Sequence, residues 1–160
     1  MTEPVVLVES PAPQVGLVRI NRPDARNAVN GDLASDMEAV LDRFEAEDGV
    51  WVGVLTANTT GHASPVFCAG ADLNWMKQAG QASSAENEAD ALKLAQMLDA
   101  LATLKQPTIA RVHGIAFGGG MGLASACDIC IASTDAKFAT SEVRLGLAPS
   151  TISPYVIRAI

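Results

Sequence analysis

The sequence lacks the features that mark membrane and secreted proteins. None of its apolar runs approaches the roughly 20 residues needed to cross a bilayer. The first ten residues, MTEPVVLVES, have neither a basic region nor a long apolar stretch, so they do not resemble a signal peptide. We therefore expect a cytoplasmic protein that makes no membrane contact.

Basic residues are also few. Lys and Arg number 11, Asp and Glu number 18, and the formal net charge is −7. A chain with this balance repels the phosphates of a nucleic acid. The composition therefore predicts that nucleic acid is not a partner.

Cysteine is also rare, with three residues in the whole chain. Cys127 and Cys130 form a CxxC, but no second CxxC or HxxxH supplies the two further ligands of a zinc site. We therefore expect reduced thiols and no metal. Cys127 is predicted to end a helix, and Cys130 to lie in a buried strand.

Apolar residues, in contrast, make up 49% of the 160-residue chain, enough for one compact domain with a core. Strand-like apolar segments alternate with segments whose apolar residues recur every three or four positions, as in helices. This alternation predicts an α/β fold with a mostly parallel sheet. Residues 81–90 are small and acidic and are predicted to be exposed and mobile. The predicted strands are 5–10, 14–20, 50–57, 108–116 and 128–133, and the predicted helices are 32–47, 88–104 and 119–126.

Two glycine-rich bends, CAGAD at 68–72 and GGG at 118–120, each follow a predicted strand and precede a predicted helix. The first turn of a helix has backbone N–H groups without partners, and two such turns could aim two donors at one carbonyl oxygen. Tight turns with close packing are the alternative interpretation. A dinucleotide fingerprint is a third, but Leu123 stands where GxGxxG requires its last glycine.

Longer segments carry a family resemblance. FCAGADLNWM, ARVHGIAFGGGMGLASACDICIAS and KFATSEVRLGLAPSTISPYV resemble the enoyl-CoA hydratase/isomerase (crotonase) family, and the resemblance covers nearly the whole chain. It implies a crotonase-like fold of repeated ββα units. GADLNWMK and SEVRLGLAPSTISPYVIRAI are similar to bacterial methylglutaconyl-CoA hydratases, which act in leucine catabolism.

The resemblance also implies the site. In this family a thioester carbonyl lies between two backbone N–H donors, which correspond here to Ala71 and Gly119. Coenzyme A is then part of the substrate, and no separate cofactor is implied. The residues implied to line the acyl-CoA path are Ala69, Gly70, Ala71, Asp72, Leu73, Asn74, Gly118 and Gly119.

Family hydratases usually carry two glutamates. One corresponds to Glu142, whereas Gly122 stands at the position of the other. Glu142 could then both activate water and deliver a proton, which gives an enoyl-CoA hydratase. A double-bond isomerase, in which one base takes and returns a proton, and a non-catalytic CoA-binding subunit are the alternatives. His113 precedes the second bend and is expected to be structural, and His62 is expected in a solvated loop.

Family members continue beyond the point where this sequence stops. We therefore expect residues 1–160 to form one crotonase-like core domain, truncated at its C-terminal end, without the family's C-terminal helical region. The resemblance further implies a homo-oligomer, a trimer or hexamer, for the complete protein. Apolar surface meant for the C-terminal helices is expected to be exposed.

Overall fold

The computed structural model describes residues 3–60 and 65–160. Within them lie eight strands, five α-helices and two short 3-10 helices. The strands are β1 Val6–Ala12, β2 Val15–Ile20, β3 Val52–Ala57, β4 Val66–Cys68, β5 Thr108–Val112, β6 Ile115–Phe117, β7 Ile129–Ala132 and β8 Lys137–Ala139. The helices are α1 Gly31–Ala46, α2 Leu73–Ala79, α3 Ser84–Thr103, α4 Gly119–Ala126 and α5 Ser153–Ala159, and the 3-10 helices are Pro23–Ala25 and Glu142–Leu145.

The strands form two sheets. The larger has the order β1-β2-β3-β5-β7 and the smaller has the order β4-β6-β8. Every pairing is parallel except that of β1 with β2. Three successive units place one strand in the larger sheet and the next in the smaller, and then enter a helical segment. The predicted α/β architecture of repeated ββα units is confirmed.

Gly114 is the point at which the chain passes from the larger sheet to the smaller. The sequence predicts one strand over 108–116, but the structure divides it into β5 and β6. Gly114 has φ +69°, and a Cβ on it would lie 1.8 Å from the carbonyl oxygen of Pro65. Only glycine fits this crossing, and its left-handed backbone ends the first strand.

The core lies between the larger sheet and helices α1, α3 and α4. The predicted three-and-four spacing of α1 is confirmed, because its apolar stripe is buried. The largest fully buried apolar side chains include Ile20, Leu33, Met37, Phe67, Met97, Leu98 and Leu123. This packing holds α4, and with it the second glycine bend, firmly against the sheet.

Helix α3 corrects the prediction for residues 81–90. Residues 81–90 are largely exposed, as predicted, but from Ser84 onward they are helical, so the helix predicted from residue 88 begins four residues earlier. The Ser83 hydroxyl accepts a hydrogen bond from the backbone N–H of Glu86, and the Glu86 carboxylate accepts one from the backbone N–H of Ser83. This capping box was present in the sequence as a Ser followed three residues later by a Glu.

Strand β7 corrects the prediction for Cys130. All four of its residues are exposed, because β7 is an edge strand of the larger sheet. Cys127, in contrast, is buried at the end of α4, as predicted, and burial raises the pKa of its thiol to about 12. No cluster of metal-binding side chains occurs in residues 3–60 and 65–160. In the same part of the chain, no helix is long and apolar enough to cross a membrane.

Candidate active site

One edge of the smaller sheet carries most of the predicted site residues. Since β4, β6 and β8 are parallel, their carboxyl ends lie at the same edge. The segments that leave these strands are 69–72, 118–120 and 140–142. They border an open cleft of about 1130 Å³, whose lining includes Ala71, Gly119 and Glu142. The parallel topology thus brings together residues that are far apart in the sequence.

The first bend follows β4 and is clamped by Val29. The N–H of Val29 donates to the carbonyl oxygen of Gly70 at 2.8 Å, and the N–H of Asp72 donates to the carbonyl oxygen of Val29 at 2.8 Å. These two bonds lie on either side of Ala71, so the N–H of Ala71 itself points away from Val29. Within residues 3–60 and 65–160, that N–H forms no backbone hydrogen bond.

The second bend follows β6 and begins α4. Gly118 is the N-cap, with φ +49° and ψ −118°, a conformation suited to glycine. Its N–H donates to the carbonyl oxygen of Ala139, the last residue of β8, at 2.9 Å. The N–H of Gly119 begins the helix and has no backbone acceptor in the described part of the chain. It is one of the free donors that every helix start leaves.

The two bends are in contact. A Cβ on Gly119 would lie 3.6 Å from Cγ2 of Val29 and 3.8 Å from the carbonyl carbon of Gly70. A Cβ on Gly70 would lie 3.3 Å from the carbonyl oxygen of Phe117. Ala71 and Gly119, which carry the two N–H groups, therefore belong to bends that contact each other in the cleft.

Asp72 connects the first bend to α2 and to the N-terminal part of the chain. Its carboxylate accepts from the backbone N–H groups of Asn74 at 2.8 Å and Trp75 at 3.4 Å, and so caps α2. It also pairs with the guanidinium of Arg22 at 2.8 Å. Burial acts to raise the pKa of Asp72, but the Arg22 hydrogen bond and the two N–H donors outweigh it, so the pKa lies below its usual value. The carboxylate is thus ionised and fully engaged.

Arg22 also contacts the segment around Val29, which holds the first bend in place. A second guanidinium nitrogen donates to the carbonyl oxygen of Ala28, next to Val29. The side chain lies at the cleft with 17% exposure. Arg22 therefore links Asp72, at the end of the first bend, to Ala28, which precedes Val29. This role was not predicted from the sequence.

Glu142 begins the 3-10 helix that follows β8. Its Oε1 lies 3.2 Å from the position of a Cβ on Gly118. Its Oε2 is buried and has no hydrogen-bond partner among the described residues. The carboxylate therefore reaches the second bend and retains an unused acceptor inside the protein.

Gly122 adjoins Ile152. A Cβ on Gly122 would lie 2.3 Å from Cγ2 of Ile152 and 2.9 Å from its Cβ. Ile152 is 3% exposed and lines the cleft, whereas Gly122 does not. An isoleucine side chain thus occupies the volume into which a side chain at position 122 would project.

The structure brings most of the predicted site residues together. The predicted residues that line the cleft are Ala69, Ala71, Asp72, Leu73, Asn74, Gly118, Gly119 and Glu142. Gly70 does not line it and serves the geometry of the first bend. His113 is half-buried outside the lining, and burial and the nearby Arg111 and Arg19 lower its pKa. His62 lies outside the described residues.

Fold and cleft together define an α/β protein of the crotonase type, with a carboxylate and two backbone amides that lack acceptors among the described residues, all at the edge of a parallel sheet. A sequence model of the family Enoyl-CoA hydratase/isomerase matches residues 12–160. The chain therefore belongs to the enoyl-CoA hydratase/isomerase family. The resemblance seen in the sequence is confirmed.

Solved structures and curated relatives agree with this assignment. A Legionella pneumophila crystal structure bearing the name enoyl-CoA hydratase/isomerase (crotonase) is 45% identical, has a TM-score of 0.91, and is matched over 99% of this chain and 59% of its own. An enoyl-CoA hydratase from Shewanella pealeana is 39% identical, with a TM-score of 0.88, over 97% of this chain and 56% of its own. The short-chain-enoyl-CoA hydratase of Clostridium acetobutylicum is 38% identical over 85% of this chain and 49% of its own length. The chain spans about half the length of the curated relatives it matches.

Proposed function

We propose that the protein is an enoyl-CoA hydratase, which adds water to the conjugated double bond of a 2-enoyl-CoA thioester. The observation that carries the proposal is one cleft lined by Ala71, Gly119 and Glu142, in which, among the described residues, both amide N–H groups lack a backbone acceptor and one carboxylate oxygen has no partner. Relatives named as enoyl-CoA hydratases support the same reaction.

The proposed chemistry assigns one role to each group. The N–H groups of Ala71 and Gly119 donate to the thioester oxygen, where negative charge accumulates as the enolate forms. Glu142 takes a proton from water as the water oxygen bonds to the β carbon. The protonated carboxyl then returns a proton to the α carbon, so that H and OH are added across the double bond and the carboxylate is regenerated.

The charge of the cleft suits an anionic substrate. The whole chain carries 11 basic and 18 acidic residues. The cleft lining, however, contains four basic residues, Arg22, Arg26, Lys77 and Arg144, and three acidic ones, Asp24, Asp72 and Glu142. Among the described residues, only Arg22 of these four forms an ion pair with a carboxylate. The remaining cations support binding of the phosphates of coenzyme A.

A double-bond isomerase is the second candidate, and Ile152 is the observation that favours it. Because Ile152 fills the space beside Gly122, no carboxylate can occupy that position without displacing it. A single carboxylate is sufficient to move a proton between the α and γ carbons of a 3-enoyl thioester. Hydration with one carboxylate requires another group to hold the water.

The two reactions are separated by incubating the protein with 2-enoyl and 3-enoyl thioesters in turn and following the absorbance of the conjugated thioester. Hydration removes absorbance from crotonyl-CoA, whereas isomerisation creates it from the 3-enoyl compound. We expect Glu142→Gln to lower hydration by about 10²–10⁴-fold. Glu88→Gln, at an exposed position on α3, is the matched control.

If only the 3-enoyl substrate reacts, the protein is an isomerase and the hydratase proposal is wrong. If calorimetry detects binding of a saturated acyl-CoA but neither reaction occurs, the non-catalytic CoA-binding interpretation replaces it.

For the acyl group we propose methylglutaconyl-CoA, in keeping with the sequence resemblance and a role in leucine catabolism. This acyl group ends in a second carboxylate, and Arg144, two residues from Glu142, provides an unpaired cation in the cleft. We expect Arg144→Met to raise KM for the dicarboxylic substrate and to leave KM for crotonyl-CoA within about twofold. An equal effect on both substrates would contradict this assignment.

We also propose that the protein forms a homo-oligomer, a trimer or hexamer. Large apolar side chains are exposed in the C-terminal part of the chain, as expected of a surface that further protein covers, and a second copy of the chain is the cover proposed here. They are Ile129 at 51%, Ile131 at 59%, Phe138 at 41%, Val143 at 68%, Leu145 at 54%, Leu147 at 48%, Ile157 at 72% and Ile160 at 93%. Light scattering on Ile131→Lys should give a smaller particle than wild type, and Leu92→Lys on α3 is the control. A monomeric wild type would contradict the proposal.

A further inference from the structure

Ser141 lies immediately before Glu142 in the cleft, and no role follows for it from the fold. It is the N-cap residue of the 3-10 helix, a position where serine ordinarily accepts a hydrogen bond from a backbone N–H. Here its side chain makes no capping bond. Nor does its hydroxyl bond to any other residue in the described ranges 3–60 and 65–160. A serine at a capping position that does not cap is available to another partner.

The hydroxyl and the carboxylate converge on the same spot. A Cβ on Gly118 would lie 3.3 Å from Oγ of Ser141 and 3.2 Å from Oε1 of Glu142. Both oxygens therefore lie against the side of Gly118 from which a side chain would project. Gly118 directly precedes Gly119, which lines the cleft. The two oxygens thus border the region in which the reacting carbons of a bound thioester would lie.

Other polar side chains line the cleft, among them Ser150 and Thr151, but of the described residues only Ser141 and Glu142 have side-chain oxygens near the Cβ position of Gly118. Gly122 has no side chain, and the neighbouring Ile152 is apolar. Of the other two carboxylates in the lining, Asp72 is engaged by Arg22 and the start of α2. A water molecule held by Glu142 alone would have one fixed hydrogen bond, which does not define its direction of approach to the β carbon.

We propose that Ser141 is a catalytic residue that holds the attacking water together with Glu142. This inference rests on the proposed hydratase function. The Ser141 hydroxyl donates to the water oxygen and orients one lone pair toward the β carbon, while Glu142 accepts a water proton. Ser141 gives up no proton in the net reaction, because the proton from water passes to Glu142 and then to the α carbon. A polar hydroxyl beside the base thereby performs the orienting role that a second carboxylate would perform.

The test compares Ser141→Ala and Ser141→Thr with wild type in crotonyl-CoA hydration. Ser35→Ala, at an exposed position on α1, is the matched control. We expect Ser141→Ala to lower kcat at least tenfold, with KM and the Kd of butyryl-CoA within about twofold, because binding of the thioester does not need the water. Ser141→Thr retains a hydroxyl and should recover at least a third of the wild-type kcat. The Tm of all variants should stay close to that of wild type.

A Ser141→Ala variant that keeps more than half of the wild-type kcat overturns the role of Ser141 while leaving the hydratase intact. A fall in butyryl-CoA affinity that matches the fall in kcat also overturns it, because the hydroxyl would then serve binding or folding. A wild-type protein that binds butyryl-CoA but does not hydrate crotonyl-CoA overturns the proposed function itself, and the role of Ser141 with it.

Discussion

The two bends that meet in the cleft are held in different ways. The first, at 69–72, depends on polar side chains, since Asp72 caps α2 and pairs with Arg22. The second, at 118–120, has no side-chain cap and is held by backbone hydrogen bonds and close packing. A Cβ on Gly120 would lie 2.5 Å from the carbonyl oxygen of Cys68. The first bend should therefore respond to charge and pH, and the second to atomic size.

Within the two bends, the largest effect is expected from removing the amide donor of the second bend. Proline is tolerated at the first position of a helix, so Gly119→Pro should delete the N–H with little change in the start of α4. Loss of one oxyanion donor should lower kcat by about 10²–10³-fold. The measurement is steady-state hydration of crotonyl-CoA, with circular dichroism to verify folding.

Gly119→Ala is the control for this substitution. Its Cβ would make only ordinary contacts, at 3.6 Å or more, and its N–H is retained. We expect kcat within a few-fold of wild type. Equal losses in the two variants would mean that the space at Gly119, and not its amide, matters.

A substitution at Gly120 tests how far the second bend tolerates a larger side chain. Gly120→Ala would force a methyl group against the backbone of Cys68, which cannot move without disturbing β4. We expect the free energy of unfolding to fall by about 1–3 kcal/mol. Urea denaturation of Gly120→Ala beside Gly119→Ala measures this, and similar stabilities would show that the bend can adjust.

A related steric test concerns α4 further from the bend. Gly122→Ala should destabilise the protein by about 1–3 kcal/mol, because its Cβ would overlap Ile152. In Gly122→Ala/Ile152→Ala the overlap is removed, so the double variant should be more stable than the sum of the single effects predicts. Additive effects in urea denaturation would indicate that Ile152 simply rotates away.

The smallest effect is expected at the first bend. Asp72→Asn keeps a capping side chain but removes the charge that pairs with Arg22, and we expect a loss of about 1–2 kcal/mol at pH 7. Since folding lowers the pKa of Asp72, its stabilisation is present above the pKa of an unfolded aspartate, about 3.9, and disappears as the pH falls through the folded value. The stability difference between wild type and Asp72→Asn should therefore shrink below about pH 4. A constant difference would show that the pair carries no ionic stabilisation.

Local patterns in the sequence predicted much of the fold. The spacing of Leu33, Met37 and Phe44 identified α1, and the start and end of α4 were predicted at the observed residues. The division of the predicted strand at Gly114 was not predictable, because it depends on Pro65, almost 50 residues away in the chain. The exposure of β7 was also missed, since edge position is a property of the whole sheet.

The site residues show the same difference between local sequence patterns and contacts that only the folded structure reveals. Ala71 and Gly119 were identifiable because each belongs to a local glycine motif. Ile152 was not, since nothing in its neighbourhood indicates that it fills the space beside Gly122. Ser141 carried a weak signal in its position before Glu142, but its free hydroxyl could be recognised only from the absence of a capping bond.

Glu142 lies in a short segment of the cleft whose apolar neighbours are exposed. Its neighbours Val143 and Leu145 are 68% and 54% exposed, whereas Gly119 begins a helix whose Leu123 is fully buried. Segments with few buried contacts open at a lower free-energy cost than the core. In a single, unassociated copy of the chain, low concentrations of urea should therefore abolish turnover while the thioester still binds, because the segment that carries Glu142 opens before the core unfolds.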